Sequence, residues 1–293
     1  MELKTYLVGQ IAKAATIFQV NEIIILSDDK SKQMKMMQDL TTTEFFVTNL
    51  EYLETPQYLR KTLFPRSPAL RFAGLMNPLD ANHHVRADEW SQYREGCVIK
   101  RPVKDNKGSW VNIGLYDQVC QVDIQLQEGT RVTVKLEETQ FSESAKYYNG
   151  KVVSQNDPFM LEGKYWGYQV RVAHSFAEVF DQSPYENGYD LKIGESPKGQ
   201  NLENIELNDH KDFEHALIFF GGLNGIEGII EELEENTTLK ASEAHTLFDE
   251  YVNSCPERGC RNTSVRTEES ILISLGAMMP KLRFAGKANN RKA

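Results

Sequence analysis

Apolar residues at helical spacing open the chain. Tyr6, Leu7, Ile11, Ala14, Ala15 and Phe18 fall on one face, so residues 3–18 are predicted as an amphipathic helix. Glu22-Ile23-Ile24-Ile25-Leu26 then reads as a buried strand. Beyond a polar stretch carrying Met34, Met36 and Met37, helical spacing returns over 43–53 with Phe45, Phe46, Leu50 and Leu53, and Pro56 opens another helix over 57–63. Residues 71–75 read as a short strand running into the turn Asn77-Pro78-Leu79-Asp80. From 95 to 173 the period changes to two. Pairs such as Val98 and Lys100, Val111 and Ile113, Val132 and Val134, and Val170 and Val172 alternate, with turn residues at 105–108, 128–129, 149–150 and 156–158. Several short strands at this spacing predict a small barrel. After it come a helix at 176–180, a strand at 189–194 ending in Gly194-Glu195-Ser196-Pro197-Lys198-Gly199, an exit loop at the sheet's carboxyl end that can face a ligand, and an apolar strand at 216–220. The pattern is therefore an α/β domain interrupted by an all-β insertion.

Two loops carry the candidate chemistry. Ala216-Leu217-Ile218-Phe219-Phe220 runs into Gly221-Gly222-Leu223-Asn224-Gly225-Ile226-Glu227-Gly228. A buried strand ending in glycines lets a ligand approach the backbone, although a plain glycine turn fits as well. The run does not match G-x-G-x-x-G in register. Later, Asn253, Ser254, Pro256, Gly259 and Asn262 keep the chain in a loop until Thr263. Ser264 or Thr267 can cap the helix that follows, Glu268 and Glu269 suit its first turn, and Ile271, Leu272, Leu275, Met278 and Met279 form its apolar stripe. A loop entering a helix can cradle a polar ligand through exposed N–H groups; a capped core helix is the plainer alternative.

Composition narrows the classes. The 293 residues, 40% of them hydrophobic, suffice for one sizeable core and a smaller one. No run of eighteen apolar residues suggests a membrane span, and the start does not resemble a signal peptide. Cys97, Cys120, Cys255 and Cys260 form no C-x-x-C pair and read as free thiols in a reducing compartment; Cys255 and Cys260 lack a nearby His, so no metal site is expected. Net charge is −9, yet ten basic and five acidic residues between 56 and 107 leave that region at +5. This is either a polyanion footprint or a set of scattered solvated charges. His83, His84 and Arg86 can contact phosphate or a base there. Tyr147, Tyr148, Tyr165, Trp166 and Tyr168 are either stacking faces for unpaired bases or barrel core. Residues 227–250 are acidic and read as a solvated helix and loop facing away from any polyanion. Neither a G-x-S-x-G elbow nor a P-loop is present, which removes serine hydrolases and P-loop NTPases.

Taken together, ALIFFGGLNGIEG and SVRTEESILISLGAM resemble the cofactor loops of the SPOUT, or alpha/beta-knot, RNA methyltransferases. The blocks TYLVGQIAKAATIFQVNEIIIL, TPQYLRKTLFP, FAGLMNPLDANHHVR, YREGCVIKRP, YNGKVVS, YWGYQVRVA, GYDLKIGESPKG and YVNSCP extend the resemblance, in order, to the subfamily with an inserted OB-like domain. The resemblance implies an α/β fold: a trefoil-knotted parallel-sheet SPOUT methyltransferase domain (1–94 and 174–293) with an inserted small β-barrel (OB-like) domain at 95–173 that binds RNA. It implies that the segment after Tyr251 threads an upstream loop and brings Gly221 and Gly222 to face 263–266. The subfamily has a strand before its first helix, so the chain is expected to be trimmed at its start. S-adenosyl-L-methionine would be held by Phe220, Gly221, Gly222, Leu223, Asn253, Thr263, Ser264, Val265 and Arg266, largely through backbone groups. Arg266, Glu268 and Arg86 are the catalytic candidates. Arg266 would orient the RNA or stabilise a pyrimidine oxygen, or else form a structural ion pair with Glu269 or Asp249. Arg71, Asn77, His84, Arg86, Lys100, Arg101 and Trp166 are the RNA-binding candidates. The expected function is methylation of ribosomal RNA, with N3 of a uridine as the target atom, by a homodimer in the nucleus or nucleolus using no metal and no membrane. The dimer would be built on the helix at 267–279. A catalytically silent ribosome-assembly factor of the same fold is the alternative. A nucleotide-binding oxidoreductase is disfavoured by the absent glycine fingerprint.

Overall fold

The computed structural model describes residues 1–27, 40–103, 108–116, 118–142, 145–205, 213–222, 225–233, 240–256 and 265–285. In chain order the elements are α1 (Glu2–Ile17), β1 (Glu22–Leu26), α2 (Thr42–Glu54), α3 (Gln57–Leu63), β2 (Tyr93–Ile99), β3 (Ser109–Asn112), β4 (Cys120–Val122), β5 (Arg131–Leu136), β6 (Tyr148–Val153), α4 (Asp157–Glu162), β7 (Gln169–Ala173), α5 (Phe176–Asp181), β8 (Leu191–Asn201), β9 (Ala216–Phe220), α6 (Gly225–Leu233), β10 (Glu250–Asn253) and α7 (Thr267–Ala285). Two compact units emerge, Met1–Ile23 with Lys35–Val170 and Ile24–Met34 with Arg171–Ala293. The paired strands β1 and β7 each cross from one unit to the other along the chain.

In the first unit, α1 buries Thr5, Val8, Ala12 and Ala15, while Leu3 and Tyr6 are exposed. Ala14 and Ala15 of the predicted face are buried, while Val8, Gly9 and Ala12 take the place of Tyr6, Leu7 and Ile11 in the buried stripe. A side chain at Gly9 would meet Met76 Cγ at 3.2 Å. Helix α2 starts in a capping box, with Glu44 N–H donating to Thr41 Oγ1 at 3.1 Å and Thr41 N–H to Glu44 Oε2 at 2.8 Å. It ends at Glu54, with Thr55 extended ahead of Pro56. Residues 68–70 and 73–75 are 3₁₀ turns rather than the predicted strand. Pro68 starts the first turn, and the buried Asn49 amide holds Ala69 O at 3.1 Å.

The predicted barrel is a closed five-stranded one in the order β2-β3-β4-β6-β5. Its alternation works as the period-two pattern requires, with Val98, Val111, Ile113, Val122, Val134 and Leu136 filling the interior. Gly150 permits close passage of the strands: a Cβ there would lie 2.5 Å from Val134 Cγ1 and 2.9 Å from Cys120 Sγ. The barrel is shorter than the expected 95–173. Its strands end at Val153, 157–162 form α4, and β7 pairs with β1.

A buried ionic network joins α2 to the barrel. Arg131 gives Nη1 to Glu54 Oε2 at 2.6 Å, Nη2 to Glu54 Oε1 at 3.0 Å and Nε to Glu95 Oε2 at 2.7 Å. Glu95 Oε1 accepts from Thr133 Oγ1 at 2.6 Å and from Trp166 Nε1 at 2.7 Å. Buried charges persist when, as here, they are paired and their remaining lone pairs are satisfied.

The second unit holds a three-stranded parallel sheet in the order β10-β8-β9. Leu191, Ile193 and Val252 pack with Met278 and Leu282 of α7 on one face. Phe219 packs with Val179, Ile226, Ile230, Ala244 and Phe248 on the other. Covering on both faces accounts for the unbroken apolar run in β9. Strand β8 continues through the expected exit loop. Gly194 is opposite Tyr251 but Val252 is opposite Gln200, so 195–199 bulge away from β10.

Candidate active site

A cleft opens where β9 and β10 end beside the bulge of β8, on the carboxyl side of the sheet, the usual ligand side. From β8 come Glu195 and Pro197. Gly221, Gly222 and Gly225 come from the turn after β9, Asn253 and Cys255 from the end of β10, and Val265, Thr267 and Ser270 from the start of α7. Gly225 adopts φ +72°, where a side chain is strained, and its N–H donates to Gly222 O at 3.0 Å. Asn253 ties the strand ends together: its Nδ2 donates to Pro197 O at 3.1 Å and its Oδ1 accepts from Cys255 N–H at 2.9 Å.

At the start of α7, one of the two predicted caps, Thr267, is not the N-cap. Thr267 is already helical, and the N–H of Arg266 donates to Glu269 Oε2 at 3.0 Å. Ser264 lies outside the described residues.

Two buried carboxylates stand at this end of the sheet. Glu195, 7% exposed, accepts from Ser270 Oγ at 3.0 Å. Burial raises its pKa, and the bonds from Ser270 and the Ser254 N–H offset this only in part. Glu227, read from the sequence as part of a solvated acidic face, is instead buried in the first turn of α6. It accepts from Ser196 Oγ at 3.1 and 3.3 Å, and the largely exposed Lys198 Nζ lies 3.8 Å away. The helix N-terminus favours a negative charge there. Burial also pushes the nearby Tyr251 hydroxyl well above its ordinary pKa.

Of the predicted cofactor residues, Gly221, Gly222, Asn253 and Val265 line this one cleft. Phe220 ends β9 beside it. Leu223, Thr263 and Ser264 lie outside the described residues. Arg266 is exposed just before α7, with no ion pair to Glu269 or Asp249 among the described residues, and Glu268 is half-buried in the first turn. Arg86 is exposed in the first unit, its N–H 3.4 Å from Glu89 Oε2. Cys255 and Ser270 are not among the cofactor candidates, whereas the exit loop expected to be able to face a ligand does bring Glu195 and Pro197 to the cleft. For Glu195 the signal is an acidic residue directly after the short predicted strand that ends at Gly194.

The predicted RNA-binding set divides. Trp166 is no stacking face: it is 3% exposed, and its indole N–H is committed to Glu95. Tyr148, Tyr165 and Tyr168 are also core. His83 is fully buried against Glu54, with Nε2 2.9 Å from its Oε1. His84 Nε2 lies 2.7 Å from Glu54 O, and burial beside His83 brings its pKa to about 3, so it is neutral near pH 7 and not a phosphate-binding cation. Arg94, counted among the basic residues, is buried and donates to the carbonyls of Ile113, Glu89, Val85 and Arg86. Arg71, Asn77, Arg86, Lys100 and Arg101 are exposed, and the Arg101 guanidinium stacks 4.4 Å from the Trp110 ring. Arg71 also joins Arg60, Lys61, Arg66, Tyr52 and Phe64 around a basic, aromatic-lined hollow.

Among the described residues no group of three His, Cys, Asp or Glu could hold a metal ion, and no helix is long and apolar enough to cross a membrane. A family model described as "Putative RNA methyltransferase" matches residues 1–278. Over 299 residues the chain is 44% identical to the human 28S rRNA (uridine-N(3))-methyltransferase, covering 97% of this chain and 75% of that protein. The mouse protein of the same name is 44% identical over 97% of this chain and 73% of its own length. The Drosophila melanogaster one is 40% identical over 96% and 59%. With nearly its whole length matched, the chain belongs to this family of RNA methyltransferases.

Proposed function

We propose that the protein uses S-adenosyl-L-methionine to methylate N3 of a uridine in large-subunit ribosomal RNA, as a SPOUT-type enzyme with a knotted carboxyl-terminal region. The carrying observation is that Gly221, Gly222, Asn253 and Val265, distant in sequence, line one cleft at the ends of parallel strands. The names of the matched relatives supply the acceptor. The residues present suit the donor. Open backbone at Gly222 admits a flat ring, Val265 offers an apolar contact, and the Glu195 carboxylate suits a cation. When bound, this cofactor supplies a methyl group on a good leaving group, which leaves positioning as the protein's main task. Arg266 and Glu268, at the start of α7, orient the uracil, with the Arg266 guanidinium stabilising negative charge on a ring oxygen as N3 gives up its proton. The exposed basic residues of the first unit, including Arg71, Lys100 and Arg101, hold the RNA backbone.

The protein works as a homodimer. Leu272 and Ile273, the latter 46% exposed, form an apolar face on α7 with the exposed Gly276 and Ala277, and a second copy would cover it. The test is incubation of purified protein with methyl-labelled donor and 28S rRNA, followed by nucleoside mass spectrometry. Label in 3-methyluridine is expected. Label in another nucleoside would overturn the acceptor assignment. No label at all, with ligand still bound, would favour a silent assembly factor.

A further inference from the structure

Glu195 is the one carboxylate on the cleft wall among the described residues, and no cation pairs with it there. Its partners, the Ser270 hydroxyl and the Ser254 N–H, are neutral. The remaining described wall is neutral as well, made of glycines, Pro197, Asn253, Cys255, Val265, Thr267 and Ser270. Lys198 is nearby in sequence, but its ammonium lies 3.8 Å from Glu227 and is largely exposed. A buried carboxylate without a counter-charge is unfavourable by itself. The fold nevertheless fixes it: Glu195 is opposite Phe220 in the β8–β9 register, one residue ahead of Gly221. Such a wall is complementary to a ligand that brings its own positive charge.

We propose that Glu195 makes the cleft select a positively charged methyl donor over the product that has lost that charge. The proposal rests on S-adenosylmethionine being the donor. Donor and product share the adenosine and amino-acid groups and differ in the methyl and in the charge on sulfur. The carboxylate therefore adds to the hold on the donor, and that increment disappears with the methyl group, which speeds product release. A full charge a few ångströms away, partly shielded, changes binding by about tenfold to a hundredfold.

Calorimetry at pH 8 with S-adenosylmethionine and S-adenosylhomocysteine tests this on the wild-type protein, Glu195→Gln and Ser270→Ala, each checked for folding by a thermal melt. Wild type should bind the charged donor at least tenfold more tightly than the product. Glu195→Gln should bring the two affinities to within about twofold, chiefly by weakening the donor. Ser270→Ala retains the carboxylate and should keep the preference. An unchanged ratio in folded Glu195→Gln, or equal loss of both ligands, would overturn the charge role while leaving the methyl-donor assignment standing. Wild-type protein that binds neither compound would bring down both.

Discussion

Gly221 and Gly222 are neighbours in sequence with opposite surroundings, which makes alanine substitution a sharp test of the cleft. A Cβ at Gly221 would fall 2.5 Å from Ile226 N and 2.7 Å from Gly225 Cα. Both atoms are backbone, so relief requires moving the first turn of α6 by about an ångström. Overpacking of this kind costs about 1–3 kcal/mol. For a protein of this size that lowers Tm by roughly 2–4 °C per kcal/mol. The same displacement carries Gly225 away from the cleft, so the affinity for S-adenosylhomocysteine should fall more than tenfold. At Gly222 nothing lies within 4 Å and φ is ordinary, so Gly222→Ala should stay within about 0.5 kcal/mol of wild type. Its methyl nevertheless narrows a wall that a ligand approaches, and about a tenfold loss of affinity with an unchanged melt is expected. Scanning fluorimetry and calorimetry on both variants read the two effects separately. A Gly222→Ala protein that melts as low as Gly221→Ala, or a Gly221→Ala protein of wild-type affinity, would refute the reasoning.

Arg131→Met leaves Glu54 and Glu95 buried without their shared cation and should destabilise by about 3–5 kcal/mol in urea melts at pH 7. The same network predicts acid sensitivity. Burial would raise the Glu54 pKa, but the bond from His83 and the Arg131 charge outweigh it and hold it at about 2 against 4.5 when free. The unfolded chain takes this proton first, so a stabilisation of about 3 kcal/mol is complete above pH 4.5 and lost as pH falls towards 2. His84, lowered from 6.5 to about 3, acts in the same direction as pH falls from 6.5; urea melts at several pH values should decline accordingly. Replacing Arg66 and Arg71 with Ala should weaken RNA binding and flatten its salt dependence by about two counterions, with S-adenosylhomocysteine affinity unchanged. Ile273→Glu should give a folded monomer by light scattering, since the side chain is already 46% exposed; local unfolding instead would mean that the helix face is core.

Patterns that depend on near neighbours were legible in the sequence. The strand ending at Phe220 and the barrel alternation are local signals, and each corresponds to an observed element. What escaped notice depends on contacts far apart in the chain. Trp166 carries the same sequence signal whether it stacks on a base or donates to Glu95, 71 residues away. Arg94 counts as one positive charge in any tally, although four carbonyls enclose it. Residues 71–75 hold apolar side chains at strand-like spacing, yet Pro68 and the Asn49 amide favour compact turns just before them. Glu227 looks like its acidic neighbours until the fold turns it under Gly225, where a Cβ would meet its Oε2 at 2.7 Å.

Burial and pairing redistribute charge in a way that bears on the two ligands. With Arg94 buried, His84 neutral and Arg60 partly engaged by the carbonyls of Leu53 and Thr55, the basic surface of the first unit reduces to exposed groups. Among the described residues of 56–107, Lys61, Arg66, Arg71, Arg86, Lys100 and Arg101 can release counterions from a polyanion. In the second unit the cleft presents Glu195, a sign that attracts a sulfonium and repels phosphate. Under the proposed function, phosphates find their cations in the first unit, while a nucleobase, uncharged at neutral pH, is not repelled by the Glu195 wall.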